Sequence, residues 1–362
     1  SSVENIGIIA LALGLGMLGV QQGSPAVATL GFTGAFLHVL NHSLFKGLLF
    51  LGAGAVVHAT GQRDLEQLGG LLKRMPWTGT AFLAGAVAIC GLPPFNGFAG
   101  EFLIYLGAFE SVLGEGTQAL AGIAVLISLA LIGGLAVAAF TRAFGIAFLG
   151  EPRSAAAAAA HEAAASLRVP MLVLAALCLG LGLAAGPVVR LLEPVVRIFS
   201  AAAPAAAATR WTFPISIGVL WLGLIALAAW LVVFRRRLLA KRTVRQTVTW
   251  DCGYAAPAAS MQYTATGYAQ PLTHGAQAIL GTQVASEPPQ GVFPGAAAHR
   301  SRTPDLAQER MFAPLFRGLA NGMGRLRWLQ QGRVHVYVLY IAVTLMVLLA
   351  WGSTGWRAQE RA

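Results

Sequence analysis

The sequence predicts an all-α fold, a polytopic bundle of transmembrane helices. Of its 362 residues, 56% are hydrophobic and 11% are charged, whereas a typical soluble domain has about 25% charged residues. This charge does not cover a soluble surface of that size, so most of the chain must face lipid or other apolar protein. The apolar runs are continuous rather than alternating and are rich in Leu, Ala and Gly, which favours helices over strands.

About eight spans are predicted, because a membrane-spanning helix needs about 20 mostly apolar residues. Pro93, Pro94 and Gly97 interrupt one long apolar stretch, so the third and fourth spans flank a break. The chain does not begin with Met and opens directly on an apolar run, so we expect it to be part of a longer protein. The predicted spans are residues 3–20, 28–57, 77–92, 93–113, 120–149, 169–192, 213–234 and 334–351.

A basic cluster between residues 235 and 245 follows the seventh span. Such a cluster either binds nucleic acid or marks the cytoplasmic end of a membrane helix. Its position beside a span favours the second interpretation, so no nucleic-acid partner is predicted. The resulting orientation places residues 235–333 in the cytoplasm and residues 58–75 outside, although that loop is itself basic. The cluster consists of Arg235, Arg236, Arg237, Lys241, Arg242 and Arg245.

Four regions are expected: residues 1–200, a helical domain; 201–242, an additional span with its basic end; 243–332, a cytoplasmic or interfacial extension; and 333–362, the last span and tail. Within the extension, residues 249–272 are rich in Gly, Pro and Tyr and are predicted to be irregular but packed. An amphipathic helix is predicted to start at Thr303 and Pro304. It lies along the membrane surface, against a neighbouring protein, or as a cap on this chain's own helices.

Three titratable side chains, His38, His42 and Lys46, form a column in the second span. Spacings of four residues place them on one helix face, over an axial rise of about 12 Å. Histidine and a lysine in a low-dielectric site can both take up and release protons, and a Lys at a helix centre costs about 2.5–3.5 kcal/mol on insertion scales. Steps of about 6 Å exceed hydrogen-bond length, so a proton relay needs ordered water, with Asn41 and Ser43 as supporting residues. The alternative is a hydrogen-bonded face that only locks the bundle.

A second group surrounds the break, in the stretch from Gly91 to Glu101. Its prolines and glycines should interrupt the helix near mid-membrane, and transporters line polar sites with such broken helices. Glu101 follows the break and is a candidate proton carrier, with Asn96 as a supporting residue. The alternative is that the spans simply end at the prolines, which places Glu101 near an interface.

Other polar residues are weaker candidates for the same path. Arg142 either pairs with a carboxylate or extends to the cytoplasmic surface. Glu4 and Asn5 open the first span and could reach the polar axis. The three cysteines lack metal-ligand spacing, and no Gly-rich nucleotide fingerprint follows a strand. We therefore predict no catalytic residue, metal site or cofactor in this chain.

These motifs resemble those of the antiporter-like subunits of respiratory complex I, Mrp-type cation/proton antiporters and membrane-bound hydrogenases. The resemblance covers roughly residues 1–200. Residues 249–254, 261–264 and 269–272 resemble more narrowly the larger antiporter-like subunit of group 4 hydrogenases, including the formate hydrogenlyase type. The matching motifs are His38-x3-His42-x2-Phe45-Lys46, Leu68-Gly69-Gly70-Leu71, Gly91-Leu92-Pro93-Pro94 and Gly97-Phe98-x-Gly100-Glu101-Phe102.

The resemblance implies a proton-translocating subunit of a redox-driven complex in a bacterial cytoplasmic membrane. Lys46 would be the central lysine of a half-channel, His38 and His42 its connecting residues and Glu101 its terminal carboxylate. The family's other half-channel is absent from this chain. Partners would be other membrane subunits and a peripheral redox arm carrying a Ni-Fe centre and iron–sulfur clusters. Alternatives are a complex I or Mrp antiporter subunit and, in another class, a structural scaffold that conducts no ions.

Overall fold

A computed structural model describes residues 1–200, 212–243, 258–291, 297–325 and 332–359. The chain divides into two units, Ser1–Ala269 and Gln270–Ala362. The helices are α1 (Ser2–Gln21), α2 (Pro25–Thr60), α3 (Leu71–Arg74), α4 (Pro76–Ile89), α5 (Asn96–Val112), α6 (Thr117–Phe148), α7 (Ala155–Ala158), α8 (Ala165–Leu183), α9 (Ala185–Phe199), α10 (Thr212–Leu239), α11 (Ala265–Gly275), α12 (Gln277–Leu280), α13 (Ala313–Gly324) and α14 (Val334–Gln359).

The predicted membrane helix bundle is confirmed. Among the described residues, six helices are long and apolar enough to cross a membrane, and they belong to α1, α2, α6, α8, α10 and α14. The chain is therefore a multi-pass membrane protein. Helix α2 is the centre of the first unit, and it contacts α1, α4, α5, α8 and α9.

Helices α4 and α5 are the two halves of one interrupted crossing. Both run antiparallel to α2, and their contacts progress steadily along it, from the C-terminal half of α2 to its N-terminal half. The break predicted near Pro93 and Pro94 is therefore present, but two separate spans at 77–92 and 93–113 are not. The closest approaches pair Gly52 with Phe82, Gly85 with Leu49, Asn41 with Asn96, Gly100 with His38 and Gly34 with Ile104.

Helix α8 lies beside α2 and is one of the six candidate spans. It covers most of the span predicted at 169–192 but ends earlier, at Leu183, and α9 starts at Ala185. A Cβ atom on Gly182 would lie 2.1 Å from the carbonyl oxygen of Pro94. The absence of a side chain at Gly182 therefore allows the end of α8 to pack directly on the break between α4 and α5.

Three segments of the first unit meet at one end of the bundle, which we call the basic end: residues 61–75, 149–163 and 258–269. The backbone N–H of Gly70 donates to the carbonyl of Leu149, and the N–H of Thr266 donates to a carboxylate oxygen of Glu66. Residues 61–75 therefore lie at the same end of the bundle as residues 258–269. The expected orientation, which placed these two segments on opposite sides of the membrane, is wrong. At the opposite end, the Gln22 side chain donates to the Thr117 hydroxyl across 3.2 Å.

Two predictions for residues 243–332 differ from the structure. Helix α11 covers part of the segment 249–272 that was predicted to be irregular, whereas residues 249–257 lie outside the described ones. The helical segment predicted from Thr303 begins at Ala307 as a π-helix, Ala307–Phe312, and continues into α13. Asp305 accepts from the N–H of Gln308 at this start. Strands β1 (Gln283–Glu287) and β2 (Ala298–Arg302) pair antiparallel, the one sheet in the described part of the chain.

Candidate functional site

The column on α2 occupies the middle of a 36-residue helix. Pro25 stands in its first turn, and Gly61 ends it in the left-handed conformation at φ 65°, a position that glycine favours. His38 and Asn41 are fully buried at 0% exposure, whereas His42 and Lys46 are half-buried. The predicted column therefore runs from the protein interior toward a more open site at Lys46.

Helix α1 supplies partners at both ends of this column. The His38 Nε2 nitrogen lies 3.0 Å from the amide oxygen of Asn5, a residue that is itself buried. An amide oxygen only accepts, so Nε2 carries the proton and Nδ1 of the neutral ring is an acceptor. The Lys46 ammonium group donates to the Ser1 hydroxyl across 2.9 Å and lies 4.8 Å from the centre of the Phe50 ring.

The amide of Asn41 connects the column to the broken crossing. Its Nδ2 donates to the carbonyl oxygen of Asn96, the first residue of α5, across 2.7 Å. A Cβ atom on Gly100 would lie 3.0 Å from Asn41 Nδ2 and 3.1 Å from His38 Nδ1. Glycine at this position therefore allows the backbone of α5 to reach the two buried polar side chains.

Several buried polar atoms near the column have no hydrogen-bond partner within the described part of the chain. Groups of this kind cost free energy unless water or a partner satisfies them, and a polar site with several of them suits ordered water. They are His38 Nδ1, Asn41 Oδ1, His42 Nε2 and both side-chain polar atoms of Asn96.

Glu101 faces a cavity on the other side of α5. The cavity has a volume of about 440 Å³ and is lined by the break, α5 and α6, including Cys90, Tyr105 and Gly134. Gly91 adopts φ 60°, and a Cβ atom there would lie 2.4 Å from a Glu101 carboxylate oxygen. The absence of a side chain at Gly91 thus leaves room for the Glu101 carboxyl group. No α2 residue lines this cavity, so the cavity itself does not contain the column.

The helices that carry this site match a known protein family. Residues 1–129 match the family described as NADH:quinone oxidoreductase/Mrp antiporter, TM, and this match contains α1, α2, α4 and α5 with the whole column and Glu101. The match covers about a third of the chain. The resemblance noted in the sequence is thereby confirmed.

Similar proteins extend this antiporter-like relationship beyond residue 129. The chain is 36% identical to hydrogenase-4 component B of Escherichia coli over 96% of its own length and 54% of that protein. It is 38% identical to formate hydrogenlyase subunit 3 of the same organism, over 77% of this chain and 45% of that one. The chain thus spans about half the length of these two relatives.

The fold also has a solved counterpart. A chain in the structure of an archaeal membrane-bound sulfane sulfur reductase superposes with a TM-score of 0.58 at 19% identity, over 96% of this chain and 56% of that one. At this identity the likeness concerns the fold alone, and it supports the antiporter-like bundle described above.

Two predicted supporting residues of the antiporter-like site lie apart from its polar atoms. The Ser43 hydroxyl is exposed and donates to the carbonyl of Leu40 in its own helix, so it does not hold water between the column residues as predicted. Arg142 is half-buried in α6, six residues before the helix ends, and its Nε atom has no hydrogen-bond partner among the residues that the structure describes. Arg142 does not line the cavity around Glu101.

The roles of three residues of the antiporter-like site were not predicted. Gly91 and Gly100 belong to the motifs around the break, but the sequence did not show that each acts through the side chain that it lacks. The Ser1 hydroxyl was not considered either, because one serine at the edge of an apolar run carries no pattern. Asn5 does have a signal, since an amide inside a span must find a partner.

Proposed function

We propose that the chain is the C-terminal part of a proton-translocating membrane subunit of a redox-driven complex of the group 4 hydrogenase or formate hydrogenlyase type. The observation that carries the proposal is the position of Lys46. Its ammonium group lies half-buried within a span, and among the described residues it has a hydroxyl partner but no hydrogen-bonded carboxylate. An amine held in this way can release its proton and take it up again, because little fixes its charge.

The geometry supports stepwise transfer through water. Side chains four residues apart on α2 are separated by about 6 Å along the axis, too far for a direct hydrogen bond. The unpartnered nitrogens of His38 and His42 would accept protons from bridging water molecules. Each transfer leaves one group neutral and protonates the next, so charge moves along the column while the backbone stays in place.

Partners and location follow from the same proposal. The chain spans about half of its two Escherichia coli relatives, so the functional unit would be a longer subunit with a further half-channel. Other membrane subunits and a peripheral redox arm would surround it in a bacterial cytoplasmic membrane. The Ni-Fe centre and iron–sulfur clusters that drive transport would reside in those partner subunits.

Similarity along the whole chain favours the hydrogenase type over a complex I or Mrp subunit. The family match ends at residue 129, whereas similarity to hydrogenase-4 component B covers 96% of the chain. The last two spans and the segment between them would then have counterparts in that protein.

Replacement of Lys46 tests the proposal. In the full-length subunit within its complex, Lys46→Ala should lower redox-driven proton movement into inverted membrane vesicles by about 100-fold, a typical loss for a missing proton carrier, while the complex still assembles. Lys73→Ala is the matched control, because Lys73 forms an exposed ion pair with Glu151 at the basic end. Normal proton movement in Lys46→Ala refutes the proposal. Loss of assembly instead supports a structural scaffold.

A further inference from the structure

Glu4 lies in the first turn of α1, which packs beside the column. Ser1 and Asn5, its neighbours on the first turn of α1, hydrogen-bond to Lys46 and to His38. These two contacts hold the first turn of α1 against α2. The half-buried Glu4 side chain, a weaker candidate from the sequence, belongs to the same turn.

The surroundings of Glu4 extend to both parts of the site. Asn5, the residue after Glu4, bonds to His38, and His38 packs against Gly100, the residue before Glu101 on α5. The turn that carries Glu4 therefore adjoins the column at Lys46 and His38 and, through His38, the part of α5 that carries Glu101.

This position matters because the column and Glu101 do not meet directly. Gly100 is the α5 residue that packs against His38 and Asn41, and the adjacent Glu101 turns toward α4 and α6 instead. A proton that leaves Lys46 needs an acceptor between these two regions. A carboxyl group inside a span is costly and is seldom retained for packing.

We propose that Glu4 carries protons between Lys46 and Glu101, an inference that rests on the proposed function. The Lys46 ammonium group gives up one proton and becomes a neutral amine, and the Glu4 carboxylate becomes a carboxylic acid. Glu4 then returns to the carboxylate as its proton passes to the Glu101 carboxylate. Water bridges each step, and no electron is transferred. Glu4 on α1 thereby links the column on α2 to Glu101 in the broken crossing.

The test uses the full-length subunit in its complex. Glu4→Gln keeps the size and hydrogen-bonding capacity of the side chain but carries no proton, so the number of protons moved per electron should fall at least tenfold with assembly unchanged. Glu4→Asp retains a carboxyl group and should preserve at least a third of the ratio. Glu110→Gln, at an exposed position on α5, is the matched control and should leave the ratio unchanged.

The outcomes separate this inference from the proposed function. If Lys46→Ala abolishes proton movement while Glu4→Gln moves protons normally, the role of Glu4 is refuted and the proposed function stands. If both variants move protons normally, both ideas fail. Equal losses in Glu4→Gln and Glu4→Asp also overturn the inference, because a carrier role requires that a second carboxyl group restore transport.

Discussion

The Asn41 side chain donates a hydrogen bond of 2.7 Å to the carbonyl oxygen of Asn96 and so joins the polar column of α2 to the start of α5. Both residues are fully buried. The bond lies where the crossing made by α4 and α5 is interrupted, and it holds the second half of that crossing against the column. Asn41 thus has a direct structural role in addition to any part in holding water.

Loss of this bond should destabilise the bundle. Asn41→Leu keeps a similar side-chain size but removes the donor, and one buried hydrogen bond contributes about 0.5–1.5 kcal/mol to stability. We expect the free energy of unfolding to fall by about that amount. The measurement is the melting temperature of the purified complex in detergent, which should be lower in the variant. Thr80→Val is the control, since this exposed hydroxyl bonds only within its own helix. Equal stability of both variants would contradict the prediction.

Gly91 should be required for the position of Glu101. In Gly91→Ala the new methyl group would collide with the Glu101 carboxylate, and the residue would also have to keep φ near 60°. Strain of this kind costs about 1–3 kcal/mol. Proton movement should therefore fall although Glu101 itself is unchanged. Gly54→Ala is the comparison, because a Cβ atom there meets no other atom within 4 Å. Normal transport in Gly91→Ala would show that Glu101 tolerates displacement.

Arg153 should hold residues 258–269 on the basic end. Its guanidinium donates to the carbonyl oxygens of Leu68, Ile146 and Tyr263, a fork that a lysine ammonium group does not reproduce. Arg153→Lys should therefore raise the rate of chymotrypsin cleavage after Tyr263 by about tenfold, since charged hydrogen bonds contribute about 1.5–3 kcal/mol each. Arg74→Lys, at an exposed site, should cleave at the original rate. Unchanged cleavage in Arg153→Lys would refute this role.

The sidedness of the bundle can be tested by cysteine labelling. Arg63, Lys73, Arg74 and Arg153 all lie at the basic end, whereas loops 22–24 and 113–116 at the opposite end contain no Lys or Arg. The positive-inside rule then places the basic end in the cytoplasm. In a Cys252→Ser background, a membrane-impermeant maleimide should label His161→Cys in inverted vesicles and Glu115→Cys in right-side-out vesicles. Labelling of both from one side would contradict this topology.

Part of the site could be predicted from the sequence because it depends on one helix. Spacings of four residues placed His38, His42 and Lys46 on one face without reference to any neighbour. The same reasoning treated Asn41 and Ser43 alike, yet Asn41 is buried and Ser43 is exposed. Which neighbour covers each face of α2 depends on residues far along the chain, so helical period did not separate them.

The path of the chain at the break also depends on distant packing. Proline and glycine predicted the break between α4 and α5 correctly, because their effect on a helix is local. Whether the chain reversed at the break or continued across the membrane was decided by packing along α2. The count of eight spans then placed residues 58–75 on the wrong side, and the contact between Glu66 and Thr266, 200 residues apart, corrects it.

By itself, the sequence determined a membrane-embedded helical chain, a titratable column on its second long helix and a break before Glu101. These properties follow from hydrophobicity, helical period and backbone chemistry, all of which act over a few residues. Tertiary structure alone decided that Asn5 meets His38, that Asn41 meets Asn96 and that Glu101 turns to its own cavity. Those partners lie 33 and 55 residues apart and meet only because three helices pack side by side.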